Sequence, residues 1–266
     1  MMIRHPVAAG TFYPAEEHEL RAMLSTLMKS AEFGSAVGVI SPHAGYVYSG
    51  AAAAKSLSHI KQSPVVILSP NHTGYGKDIA VSKATWRTPL GDVDVDQEMA
   101  NYIVEKTSAE FDEEAHSGEH AIEVQLPFLQ YHLKEFKIVP ITIKHASKSD
   151  LDHLAEVLSD MNASFVASSD FTHYGPMYGF VPFIHNVREN LYKLDMSIID
   201  YILKLDPDKF YEAATSSTVC GVLPIFVLLH IMKRRKARPK LIDYYTSGDV
   251  TSDFTNAVGY ASIVFR

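Results

Sequence analysis

The stretch "NASFVASSDFTHYG", residues 162–175, runs from an apolar segment straight into two ionisable side chains, Asp170 and His173, and then a glycine. "SFVASS" (164–169) is short, apolar on both faces and rich in small or branched residues, so it reads as a strand buried in a sheet. A plain turn at its end would need only Gly, Asn or Ser; an acid and an imidazole there call for a partner. Two other runs end in the same way: "GVISPHAGY" (38–46) delivers His43, and "VILSPNHTGYG" (66–76) delivers His72. In open α/β sheets ligands sit outside the carboxyl ends of the strands, so His43, His72, Asp170 and His173 are expected to converge on one pocket. Gly45, Gly74 and Gly175, which follow them, would let the backbone turn sharply or approach a ligand closely.

The rest of the chain extends this pattern. "AVGVIS" (36–41), "PVVILS" (64–69), "KIVPITIK" (137–144), "KLIDYYT" (240–246) and "AVGYASIVF" (257–265) are further strand candidates, and "DIAVSKATW" (78–86) is expected at a sheet edge. Helical periodicity appears between them, at 50–60, 96–106, 121–133, 149–161, 187–205 and 224–236. No repeat, low-complexity tract or linker interrupts the alternation. The expected architecture is one α/β domain over 1–266, with a mostly buried mixed sheet and helices on both faces. A chain of 266 residues, 47% hydrophobic, can bury a core of that kind.

Composition narrows the function. A formal charge of -7 offers no attraction to phosphate backbones or anionic lipid, so no nucleic acid and no membrane is expected as a partner. "KRRKARPK" (233–240) is read as solvation of a helix C-terminus rather than a nucleic-acid patch. The N-terminal residues lack the apolar run of a secretory signal, and "VLPIFVLLHIM" (222–232) is too short to span a bilayer, so the expected location is cytoplasmic. No nucleotide-cofactor pattern is read.

The one cysteine, Cys220, precedes the helix candidate at 224–236. A helix N-terminus is expected to lower the thiol pKa towards thiolate, the form that binds metals. Two imidazoles and one thiolate make a donor set suited to iron, copper or zinc, with Asp170 and His173 as the nearby acid and base. Each residue has a plainer reading: Cys220 as a small core residue, the histidines as caps, Asp170 as an N-cap. "HSGEH" (116–120) matches an inverted zinc-protease pattern, but Ser117 and Gly118 argue against the helix that this chemistry requires.

The blocks "AAGTFYPA", "SPHAGYVYSGAAAA", "SPNHTGYG", "WRTPLGDVDVDQEM", "GEHAIEVQLPFLQ", "SSDFTHYG" and "TVCGVLPI" resemble, in this order, the signature blocks of the Memo family across nearly the whole chain. The resemblance implies a fold similar to class III extradiol ring-cleaving dioxygenases, which are non-haem iron enzymes. It sets His43, His72 and Cys220 on metal-site positions and His120, Asp170 and His173 on other polar pocket positions. The dioxygenases use a carboxylate where this pattern has Cys220, which departs from the ring-cleavage site. The implied function is binding of Fe(II) or copper, with zinc as an alternative, and a metal-dependent redox or oxygenase-type reaction on a small molecule. The competing readings are a non-catalytic module for a phosphorylated or carboxylated peptide, in line with the phosphotyrosine binding and redox signalling associated with animal Memo proteins, and metal buffering. Prokaryotic relatives often lie beside radical-SAM proteins, which implies such a protein as a functional partner.

Overall fold

The Val- and Ile-rich runs become strands because side chains branched at Cβ pack well on a pleated surface covered on both sides. The structure, a computed structural model, describes residues 2–266. Its strands are β1 (Ile3–Arg4), β2 (Gly38–Ser41), β3 (Val65–Pro70), β4 (Ile79–Val81), β5 (Thr85–Thr88) and β6 (Gly91–Val93). They continue with β7 (Glu110–Phe111), β8 (Ile138–Ile143), β9 (Ser164–Ser168), β10 (His173–Tyr174), β11 (Pro239–Thr246) and β12 (Ala257–Phe265). The helices are α1 (Glu17–Met28), α2 (Tyr46–Leu57), α3 (Gln97–Lys106), α4 (Glu114–Ser117) and α5 (Leu126–His132). After them come α6 (Lys148–Ser159), α7 (Val187–Leu203), α8 (Pro207–Thr215), α9 (Val222–Arg234) and α10 (Ser247–Thr251).

The main sheet has the order β10-β12-β2-β9-β3-β8-β4-β7, with β11 also paired to β12. Its centre, β2-β9-β3-β8, is parallel, and β12 and β4 flank it antiparallel. The sheet is therefore mixed, as expected. The crossovers β2→β3 and β8→β9 run in opposite directions across it, so right-handed connections put α2 and α6 on opposite faces. Packing agrees: α1, α2 and α5 form one layer, and α6, α8 and α9 form the other. Gly50 permits the tight α1–α2 contact, since a Cβ there would meet a Leu27 methyl at 2.8 Å.

Helix α9 buries Ile225 to Leu229, Ile231 and Met232 between the sheet and helices α6 and α8, which explains why its sequence is apolar nearly all round. Each such side chain contributes about 1.5–3 kcal/mol by leaving water. Side-chain caps set the starts of α3, where Asp96 accepts from the Met99 N–H, and of α6, where Ser147 accepts from the Asp150 N–H, as they do for α8 and α10. The helix expected from Ser149 accordingly begins at Lys148, and the one expected from Gly50 begins at Tyr46.

The edge strand expected at 78–86 is split. Ile79–Val81 joins the main sheet as β4, whereas Thr85–Thr88 turns away to form a small sheet with β1 and β6. The stretch at 121–133 is divided as well, between a 3-10 turn at Glu123–Gln125 and α5, which has a proline in its first turn. Helices α1 and α8 lie outside the segments assigned from sequence.

Candidate metal centre

Register brings the strand exits level. Ser41 on β2 pairs with Ser168 on β9, so two residues later His43 stands opposite Asp170. Leu68 on β3 pairs with Ala167, which carries His72 to the same end of the sheet. The His43 N–H donates to Asp170 Oδ1 at 2.8 Å, fastening the two exits together. Helix α9 begins on the far side of β9. A Cβ at Gly221 would collide with the Ser169 side chain, so glycine there lets Cys220 lie directly against the β9 exit.

His43, His72 and Cys220 each offer one ligand atom, and these three atoms lie within 4.8 Å of one another. The hydrogen bonds around the rings determine which nitrogen is free. Ser168 Oγ donates its single proton to the Ala121 carbonyl at 2.7 Å, so it must accept from His43 Nδ1 at 2.9 Å. His43 Nε2 then carries a lone pair, 3.2 Å from Cys220 Sγ. His72 Nδ1 donates to Glu119 Oε1 at 3.0 Å, leaving its Nε2 free as well. Metal-binding histidines are held in this way, with a fixed acceptor on the second nitrogen.

Glu119 was not singled out from the sequence. It is fully buried, takes the His72 N–H on Oε2 at 2.5 Å, and takes the Ala121 N–H on Oε1 at 2.9 Å. It also lies 3.4 Å from His120 Nδ1. Glu119, His72 and His120 form a second close donor group, in which Glu119 accepts from the His72 backbone, the His72 ring and the Ala121 N–H and so orients the His72 ring. Its one sequence signal was its place beside His120 in "GEH"; its partner, 47 residues away, could not be read. The protease reading of "HSGEH" falls, because His116 is buried with its ring on the Ala80 carbonyl and the Thr142 hydroxyl, away from His120.

A cavity of about 540 Å³ opens above the cluster, lined by His43, His72, His120, Asp170 and His173 and walled by Phe12, Tyr48, Tyr178 and Tyr260. Five of the six positions named from sequence therefore face one space; Cys220 does not line it and adjoins it through His43 Nε2. Asp170 and His173, read as a neighbouring acid and base, are not hydrogen-bonded to each other. His173 Nδ1 donates to the carbonyls of Phe171 and Thr218, both at 3.0 Å, while Asp170 accepts the His43 N–H. The reading of Asp170 as a helix N-cap is replaced too, since its acceptor role serves another strand exit. Gly74 and Gly175 do adopt positive φ, at 72° and 122°, as their turns require, but Gly45 has an ordinary φ of -54° and precedes α2.

Burial governs the electrostatics. It pushes the pKa of His43 well down, with help from the neighbouring imidazoles, and lowers His120 to about 4. For His72 burial is outweighed by the Glu119 carboxylate, and the pKa rises. Burial raises Asp170. The expected lowering of the Cys220 pKa is reversed: burial, then the Asp170 charge, push it far up. Cys220 stands two residues ahead of α9, and the N–H donor it receives, from Asp170 at 3.2 Å, does not compensate. The resulting donor set fits a metal ion. His43 is held neutral and presents a lone pair, and a coordinated cation is what displaces a proton from His72 and deprotonates a thiol held in such a place.

No helix among the described residues is long and apolar enough to cross a membrane. A model of the Memo-like protein family matches residues 4–264. A "MEMO1 family protein" of Archaeoglobus fulgidus is 42% identical over 99% of this chain and 100% of its own length. One from Nitrosopumilus maritimus is 40% identical over 99% of this chain and all of its own, and one from Methanococcus maripaludis is 37% identical over the full length of both. With the fold and the family's blocks in register along the whole chain, the protein belongs to the Memo-like family.

Proposed function

We propose that this protein binds one redox-active metal ion, iron or copper, through His43, His72 and Cys220, and that the cavity above it serves a metal-dependent redox or oxygenase-type reaction on a small molecule. The observation that carries the reading is the gathering of three ligand atoms within 4.8 Å, with the Nδ1 atoms of both imidazoles already bound elsewhere. When bound, such an ion supplies Lewis acidity and one-electron chemistry. The chain's own residues do the rest. Glu119 and Ser168 fix the ring orientations of His72 and His43. His173, its Nδ1 held by two carbonyls, presents Nε2 to the cavity as a proton acceptor. Asp170, its pKa raised by burial, is the second group there able to hold a proton. A single thiol ligand suits the reducing cytoplasm.

The neutral rings of His43 and His120 favour the metal reading over the phosphopeptide alternative. With the pKa of His43 pushed down and that of His120 near 4, these imidazoles offer lone pairs at neutral pH and attract cations, whereas phosphate recognition calls for positive charge.

The test is oxygen uptake by anaerobically purified, iron- or copper-loaded protein against a panel of catechols and small thiols. We expect metal-dependent uptake with at least one of them, and in His173→Ala a rate lower by about 10² to 10⁴ with metal content retained. Stoichiometric metal with no uptake or redox turnover on any substrate would leave storage as the function. Equal loss of metal in His173→Ala and His72→Ala would make His173 a ligand.

A further inference from the structure

His120 differs from the other histidines in the cavity. The Nδ1 atoms of His43, His72 and His173 are each hydrogen-bonded, while the ring of His120 has no hydrogen bond among the described residues and approaches Glu119 only to 3.4 Å. Aromatic packing holds it instead. Phe12 covers it at a centroid distance of 4.5 Å, and His72 stacks on it at 4.9 Å and 25°.

Phe12 belongs to a segment with little regular structure, so something must hold it in turn. Glu123, fully buried, does so with four donors: the Arg4 guanidinium and the Val7 N–H on Oε2, and the Ala8 N–H and the Tyr13 hydroxyl on Oε1. Arg4 also donates to the His116 and Glu119 carbonyls, which ties the segment to the loop carrying His120. The Phe12 carbonyl accepts the Tyr46 N–H at the start of α2, closing the wall against the main fold. A buried ion pair is costly unless every remaining donor and acceptor is satisfied, and here they are satisfied by the backbone of this segment and of that loop.

We infer that the segment from Arg4 to Tyr13 is a working wall of the cavity, in which Phe12 is the positioning residue that sets the His120 ring and Glu123 is the residue that sets Phe12. Neither Arg4 nor Glu123 lines the cavity; they act through Phe12. The inference concerns the metal-free protein and does not depend on the metal reading.

The test is a set of long-range 1H–15N spectra of the imidazoles in metal-free, full-length protein. In the wild type, a ring packed in one orientation is expected to give a single sharp set of His120 signals. Phe12→Ala, which removes a half-buried ring and leaves the clamp intact, is expected to broaden or average the His120 signals while those of His43 and His173 stay in place. Phe12→Tyr is expected to restore them. Glu123→Gln is expected to give the same His120 change and to lower hydrogen-exchange protection at Val7 and Ala8 by about tenfold or more. Unchanged His120 signals in Phe12→Ala would overturn the inference, and that result can be read even if Glu123→Gln fails to fold.

Discussion

Two carboxylates sit beside the same cavity and behave in opposite ways. Glu119 reaches across 47 residues to His72, accepts from both its ring and its backbone, and its own pKa is lowered by that partner in spite of burial. Asp170 lies three residues from His173, makes no hydrogen bond to it, and its pKa is raised by burial. Proximity in sequence misleads because chain leaving a strand stays near-extended, where side chains three apart do not meet as they would on a helix. Register decides instead: Ser41 opposite Ser168 gives Asp170 to the His43 N–H.

The difference assigns roles that substitution can separate. Glu119→Gln keeps the shape but replaces a charged acceptor of the His72 proton. We expect metal affinity to fall by about 10- to 100-fold, the usual cost of losing such an acceptor, in a competition titration with a chelator. Affinity equal to wild type would show that Glu119 does not orient a ligand.

A third carboxylate, Asp195 on α7, anchors the Asp170 stretch from behind by accepting from the Thr172 and Tyr244 hydroxyls. Burial raises its pKa to about 6. The folded state then holds the proton more tightly than the unfolded chain, so no penalty exists below about pH 4. The penalty grows as pH rises and is complete above about pH 6. Asp195→Asn should remove this slope, so that the variant's melting temperature, relative to wild type, climbs by several degrees between pH 4 and 7. A difference that does not change with pH would mean that Asp195 is ionised throughout.

The smallest effect is expected at Asp170→Asn, which keeps an oxygen for the His43 N–H. Metal affinity should stay within about threefold of wild type, well inside the 10- to 100-fold range for Glu119→Gln. A loss as large as that of Glu119→Gln would erase the distinction between the two carboxylates.

Much of this arrangement could be read before the structure. The six Val- and Ile-rich runs are strands, and the repeated strand endings marked three of the cavity's four histidines, all but His120, because a two-residue period and a strand exit are local signals. What escaped is non-local or weakly patterned. Helix α1 buries only Leu20, Leu24 and Met28, and α8 is nine residues long, so neither shows a continuous apolar run. Glu119 and Glu123 are buried acids whose partners lie 47 and 119 residues away, and nothing local to them announces burial. The Cys220 pKa was misread for a related reason: proximity to a helix start is local, whereas burial against the β9 exit and the charge of Asp170 are set by the fold.

The most direct measurement of the central claim is X-ray absorption at the metal edge of loaded wild-type protein and of Cys220→Ser. With His43, His72 and Cys220 as ligands, the wild type should show one sulfur at about 2.3 Å together with imidazole nitrogens near 2.0–2.1 Å, and the sulfur should vanish in the variant. A wild-type spectrum with nitrogen and oxygen neighbours alone would contradict it.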